Sequence, residues 1–105
     1  MDEGFNTYIN DLATKRFNDG EYYNEQSPRQ MAGYLFSDDL QPIFTLPYVL
    51  VYDSYGVNAY VKPGMALDQL RNQVLGKERF DYAFKEYIKR WSYKHPQPWD
   101  FFNTM

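Results

Sequence analysis

The chain has 105 residues, a length that fits one domain or part of one and excludes a multidomain enzyme. Leu, Ile, Val and Phe account for 24 residues, and 11 Tyr and 2 Trp add buriable surface, so the composition is that of a folding chain. The absence of Cys and the single His exclude disulfide frameworks, Cys-ligated zinc and any all-His metal site. The net charge of −3 argues against a nucleic-acid partner, and no apolar run approaches the roughly 18 residues of a membrane span.

Two helices are predicted in the first third of the chain. Apolar residues recur at steps of three and four from Phe5 to Ala13, which predicts an amphipathic helix from Asp2 to Phe17 that ends at Asn18-Asp19-Gly20. The turn-rich stretch up to Ser27 is predicted to be a loop. Because Ser caps free amides and Pro fits the first turn, Ser27-Pro28 predicts the start of a second helix of about ten residues. Its predicted buried residues are Met31, Tyr34 and Leu35.

The segment from Asp38 to Asn58 shows no helical period. It contains two Pro and one Gly, which predicts an irregular connection. The run from Tyr48 to Tyr52 has high β propensity, so a short strand remains the alternative there.

Three further helices are predicted in the second half. The third starts near Tyr60 or Pro63 and ends at Leu75, followed by Gly76 as a residue free to adopt positive φ. Pro98 starts a short fifth helix through Phe102. The fourth helix carries the apolar residues Phe80, Phe84, Tyr87, Ile88 and Trp91. Five short helices with short loops predict an all-α fold in an antiparallel array.

Residue chemistry alone offers few functional candidates. Acidic residues at the start of a helix, such as Glu3, are ordinarily explained by the helix dipole. His95 has no neighbouring ligand residue, and the acidic residues Asp38, Asp39 and Asp53 lack the spacing of a calcium loop. The sequence contains no complete catalytic motif. Its 20% aromatic content supports a second hypothesis, a helical module without enzymatic activity that binds peptide or carbohydrate through exposed aromatic residues.

Three segments together resemble one family, the gluzincin zinc aminopeptidases that include aminopeptidase N and leukotriene hydrolase. Met1-Asp-Glu-Gly-Phe-Asn6 is similar to the family's W-x-[ND]-E-G-F/L stretch. Tyr60-Val-Lys-Pro-Gly64 is similar to Y-x-K-G, with Pro63 as one extra residue. The later matches, to G-x-x-x-F…Y…F/Y-K-x-P-x-x-x-D-F, are Lys77-Glu-Arg-Phe80, Tyr87 and Tyr93-Lys-His-Pro-Gln-Pro-Trp-Asp-Phe-Phe102. The order and spacing of these motifs make the combination more specific than any one of them.

The resemblance implies that the whole chain, residues 1–105, is one helical fragment from the C-terminal part of a thermolysin-like catalytic domain. In it, Glu3 would be the third zinc ligand and Tyr60 the phenol that donates a hydrogen bond to the oxyanion of the tetrahedral intermediate. A His₂Glu zinc site with an open position polarises a peptide carbonyl, and a donor at the oxyanion lowers the barrier. The partner in the intact parent would be a peptide substrate.

The two zinc His residues and the general-base Glu of the H-E-x-x-H motif are expected N-terminal to Met1, in the missing half of the catalytic domain. We therefore expect zinc in the intact parent, none bound to this fragment, and no activity of the fragment alone. The face that would contact the missing half would expose a large apolar patch in this fragment. We therefore predict self-association through Phe5, Ile9 and Tyr60, or partial disorder in residues 18–58.

Overall fold

A computed structural model describes residues 2–24 and 28–105. Over these ranges the chain forms five α-helices and no strand, which confirms the all-α prediction. The helices are α1 (Asp2–Arg16), α2 (Ala32–Leu35), α3 (Lys62–Gln69), α4 (Lys77–Trp91) and α5 (Pro98–Phe102). The chain divides into two compact units, residues 1–68 and residues 69–105. No helix in the described ranges is long and apolar enough to cross a membrane.

The end of α1 agrees with the prediction. The helix stops at Arg16, and the next residues, Phe17–Gly20, form a tight turn. Asn18, Asp19 and Gly20 all have positive φ, at 46°, 56° and 84°. Short polar side chains and Gly tolerate this left-handed region best, which explains why the helix ends at these residues.

The second predicted helix is shorter than expected. A 3₁₀ turn, Pro28–Met31, leads into α2, and the predicted cap Ser27 lies outside the described residues. Met31 is buried as predicted, and Tyr34 is half-buried. The prediction for Leu35 was wrong, because it is 44% exposed at the end of a helix only four residues long, too short to turn a continuous face inward.

The predicted irregular segment, Asp38 to Asn58, is irregular up to Ser54 apart from two 3₁₀ turns at Pro47–Val49 and Tyr52–Ser54, whereas its last four residues are helical. The alternative of a strand at residues 48–52 was wrong. The side chain of Gln41 accepts a hydrogen bond from the Val51 N–H at 2.8 Å and donates one to the Val49 carbonyl at 3.1 Å. Two of the backbone groups that a strand would pair, the Val49 carbonyl and the Val51 N–H, are therefore bonded to a side chain instead.

The helical path through Pro63 begins earlier than predicted. A π-helical turn, Val57–Val61, precedes α3, and Lys62 keeps helical dihedrals although Pro63 follows it. The Lys62 N–H donates to the carbonyl of Val57, five residues back. This wider turn accommodates a Pro that has no N–H to donate to the preceding turn. A second π-helical turn, Leu70–Leu75, follows α3 and ends at Gly76, whose φ is 82°, as predicted.

The unit of residues 69–105 has an aromatic core. Phe80, Phe84 and Tyr87 of α4 are buried, as their spacing predicted, whereas Ile88 is 46% exposed. The rings of Tyr87 and Phe101 meet edge to face at 5.2 Å between centroids, which joins α4 to α5. At the start of α5, the Asp100 carboxylate accepts a hydrogen bond from the Gln97 N–H at 2.7 Å, consistent with the predicted start at Pro98.

Candidate functional site

Glu3 and Tyr60, the two residues that the family resemblance singled out, lie together in the structure. Glu3 is half-buried in the first turn of α1, and Tyr60 lies in the π-helical turn before α3. The Glu3 carboxylate lies close enough to the Tyr60 phenol to be the largest influence on its pKa, which it raises. The Tyr60 side chain is 39% exposed, so the pair is accessible from solvent.

The charges around Tyr60 favour its protonated form. The negative charge of Glu3 raises the pKa of the Tyr60 phenol above its ordinary value of 10.0, and partial burial, Tyr55 and Asp2 act in the same direction. A phenolate would place a second negative charge beside these carboxylates. Tyr60 therefore remains a hydrogen-bond donor across the neutral pH range.

The pair is brought together by close contact between α1 and the helical segment that contains Tyr60. Gly4, next to Glu3, is buried against Pro63: a Cβ built on Gly4 would lie 2.5 Å from the Pro63 Cβ and closer still to its Cγ. A Cβ on Gly64, the residue after Pro63, would lie 3.0 Å from the methyl group of Thr7. The hydroxyl of Thr7 donates to the Glu3 carbonyl at 2.9 Å. Small residues in both segments thus allow the two backbones to approach closely.

A polar cluster holds the irregular segment against the helical turn that contains Tyr60. The buried side chain of Asn58 donates to the Pro42 carbonyl at 3.0 Å, and the Lys62 ammonium donates to the Gln41 carbonyl at 2.5 Å. The hydroxyl of Tyr34 accepts from the Gln41 N–H at 3.1 Å, and the Lys62 ammonium lies 5.7 Å from the Tyr34 ring centroid. Burial lowers the pKa of Lys62, since it penalises the charged form.

Sequence reasoning missed this cluster. Asn58 and Gln41 belong to no motif, and polar residues in a segment without a helical period give no sign of burial. Only Lys62 was marked, as part of the Y-x-K stretch. The other candidates from the sequence, His95, Asp38-Asp39 and Asp53, are all exposed.

The fit of this region to a zinc ion is partial. Within residues 2–24 and 28–105, no group of three or more His, Asp or Glu side chains is placed to hold a metal ion. Glu3 could supply one oxygen ligand, and a zinc site needs three or four protein ligands. The described residues therefore do not fit a zinc ion on their own, and any zinc site that includes Glu3 needs ligands from elsewhere.

Comparisons with protein-family models, with curated proteins and with solved structures found no match to this chain.

Proposed function

We propose that this chain is part of a zinc-dependent aminopeptidase-like metallopeptidase, to which it contributes Glu3 as the third zinc ligand and Tyr60 as the transition-state donor. The observation that carries the proposal is the closeness of these two side chains, seen in the effect of the Glu3 charge on the pKa of Tyr60, although they lie 57 positions apart in the sequence. A ligand and an oxyanion donor of the same site have to be neighbours, and this pair meets that requirement.

In this proposal the two side chains have separate tasks. The Glu3 carboxylate would be one of the groups that hold the metal, and the chemistry that a bound metal would supply is polarisation of the scissile carbonyl and activation of water. The Tyr60 hydroxyl then donates to the carbonyl oxygen as negative charge develops on it. The chain alone is expected to be inactive, because the described residues contain no group of three or more possible metal ligands.

The first test is the coding sequence upstream of Met1. The proposal predicts an in-frame H-E-x-x-H motif, separated from Glu3 by about one helix and a turn. A continuous reading frame without that motif would contradict it.

The second candidate function is a helical module that binds peptide or carbohydrate through aromatic residues. The observation that favours it is the high exposure of three rings in the segment before Asn58: Phe36 at 91%, Tyr48 at 82% and Tyr52 at 91%. Exposed aromatic rings are typical of surfaces that stack on sugars or contact peptides. A peptide and glycan array probed with the wild-type chain and with a Tyr48→Ser, Tyr52→Ser variant tests this function. A defined target lost in the variant supports it, and equal binding by both chains contradicts it.

A further inference from the structure

The first turn of α1 meets the Pro63 ring at Gly4, which contributes no side chain to the contact. Gly4 is buried, and a Cβ placed there would lie within 2.5 Å of the Pro63 ring. Real Cβ atoms essentially never approach other heavy atoms to less than 3.0 Å. The Pro63 ring is rigid and cannot rotate away, so any larger residue at Gly4 has to push α1 from the segment that carries Tyr60.

We propose that Gly4 and Pro63 are positioning residues for Glu3 and Tyr60, with the Pro63 ring filling the space that the missing side chain of Gly4 leaves. Glu3 directly precedes Gly4, and Tyr60 lies three residues before Pro63, so both members of the pair sit beside this contact. The contact therefore sets the distance between the carboxylate and the phenol. It also gives a role to Pro63, the residue by which this sequence departs from the Y-x-K-G pattern.

A second contact, between Gly64, the residue after Pro63, and Thr7, about one turn along α1 from Gly4, acts in the same direction. A Cβ on Gly64 would lie 3.0 Å from the Thr7 methyl carbon and 3.3 Å from its Cβ. This is tight, yet a shift of a few tenths of an ångström relieves it. Substitution at Gly64 should thus displace α1 less than substitution at Gly4.

The catalytic role of this contact rests on the proposed function, whereas the contact itself is a feature of the structure.

The experiment uses the 105-residue chain labelled with ¹³C at the tyrosine Cζ, whose chemical shift reports the surroundings of the phenol, including a nearby carboxylate. The Tyr60 resonance is assigned by its loss in Tyr60→Phe, and Glu3→Ala gives its position without the carboxylate. The matched control is Gly33→Ala, because nothing lies within 4 Å of a Cβ at Gly33.

We expect Gly4→Ala to move the Tyr60 resonance to its position in Glu3→Ala, while Gly33→Ala leaves it in place. Pro63→Gly combined with Gly4→Ala should restore the wild-type position, since it removes the ring that the new methyl group meets. An unchanged resonance in Gly4→Ala, or no restoration in the double variant, would overturn the proposal.

If circular dichroism shows that Gly4→Ala is unfolded, the positioning role is tested with Gly64→Ala instead. In Gly64→Ala, the Tyr60 resonance should move part of the way toward its position in Glu3→Ala. Adding Thr7→Ser to this variant should reduce the movement, because it removes the methyl group that the new Cβ meets. A Gly64→Ala resonance at the wild-type position would reject the positioning role. Neither zinc nor substrate is used, so failure here leaves the activity tests of the proposed function independent.

Discussion

Replacement of Asp81 by Ala should destabilise the unit of residues 69–105 by removing a bidentate ion pair. Arg71, in the π-helical turn after α3, donates from Nε to one carboxylate oxygen of Asp81 at 2.6 Å and from Nη2 to the other at 2.8 Å. The Arg71 side chain is 11% exposed and that of Asp81 39% exposed. The substitution therefore removes the Asp81 carboxylate from a nearly buried guanidinium.

The size of the effect follows from these exposures. A solvent-exposed ion pair contributes about 0 to 1 kcal/mol, whereas removal of one partner of a fully buried pair costs about 3 to 5 kcal/mol. Arg71 is close to the buried case, but the solvent that reaches Asp81 screens part of the interaction. We expect Asp81→Ala to lower the free energy of unfolding by about 2 kcal/mol, between these limits.

Urea denaturation followed by circular dichroism measures this change. The control is Lys89→Ala, which removes an exposed pair with Glu86 whose nitrogen and oxygen lie 3.8 Å apart. It should change the unfolding free energy by less than about 0.5 kcal/mol. If Asp81→Ala and Lys89→Ala have equal effects, the inference that burial strengthens the Arg71 interaction is refuted.

Two further predictions concern buried polar groups, one in each unit. Asn58→Ala removes the donor to the Pro42 carbonyl and should cost about 1 to 3 kcal/mol in urea denaturation, whereas Asn6→Ala, at an exposed position of α1, should change little. If Asn58→Ala and Asn6→Ala changed the free energy of unfolding equally, the hydrogen bond of Asn58 would not stabilise the fold as proposed. Burial raises the pKa of the Tyr87 phenol above its ordinary value of 10.0 in the folded state. The folded state therefore favours the protonated phenol, and this contribution to the free energy of unfolding is present in full below about pH 10. It is lost as the pH rises through the folded-state pKa. Thermal melting between pH 9 and 11.5 should thus show a smaller alkaline loss for Tyr87→Phe than for the wild type, and identical losses would refute this assignment.

The helices of this chain were predictable where apolar periodicity and a stop signal coincide. The end of α1 follows from Asn18-Asp19-Gly20, and α4 follows from aromatic residues at core spacing. The second helix was not predictable in detail, because a four-residue helix has too few positions to show a period. The π-helical turn before Pro63 was also missed, since proline signals a break without indicating how the backbone adapts to it.

The candidate site was only partly predictable. Glu3 and Tyr60 came from the family resemblance, and nothing in the periodicity of the sequence joins two residues so far apart in the chain. The glycines beside them carried a usable signal, because a helical Gly often marks a close backbone approach. The cluster of Gln41, Asn58 and Lys62 depends on tertiary contacts, which a single sequence does not reveal.

The central claim is that Tyr60 donates a hydrogen bond in the transition state of a zinc peptidase. The most direct measurement is the kcat of Tyr60→Phe on amino-acid anilides, made in a polypeptide that carries this chain together with the H-E-x-x-H motif, with zinc content determined in parallel. Because the substitution keeps the ring and removes only the hydroxyl, the account predicts a fall in kcat of about 10²- to 10³-fold with zinc retained. A variant that binds zinc and turns over at the wild-type rate would contradict the account.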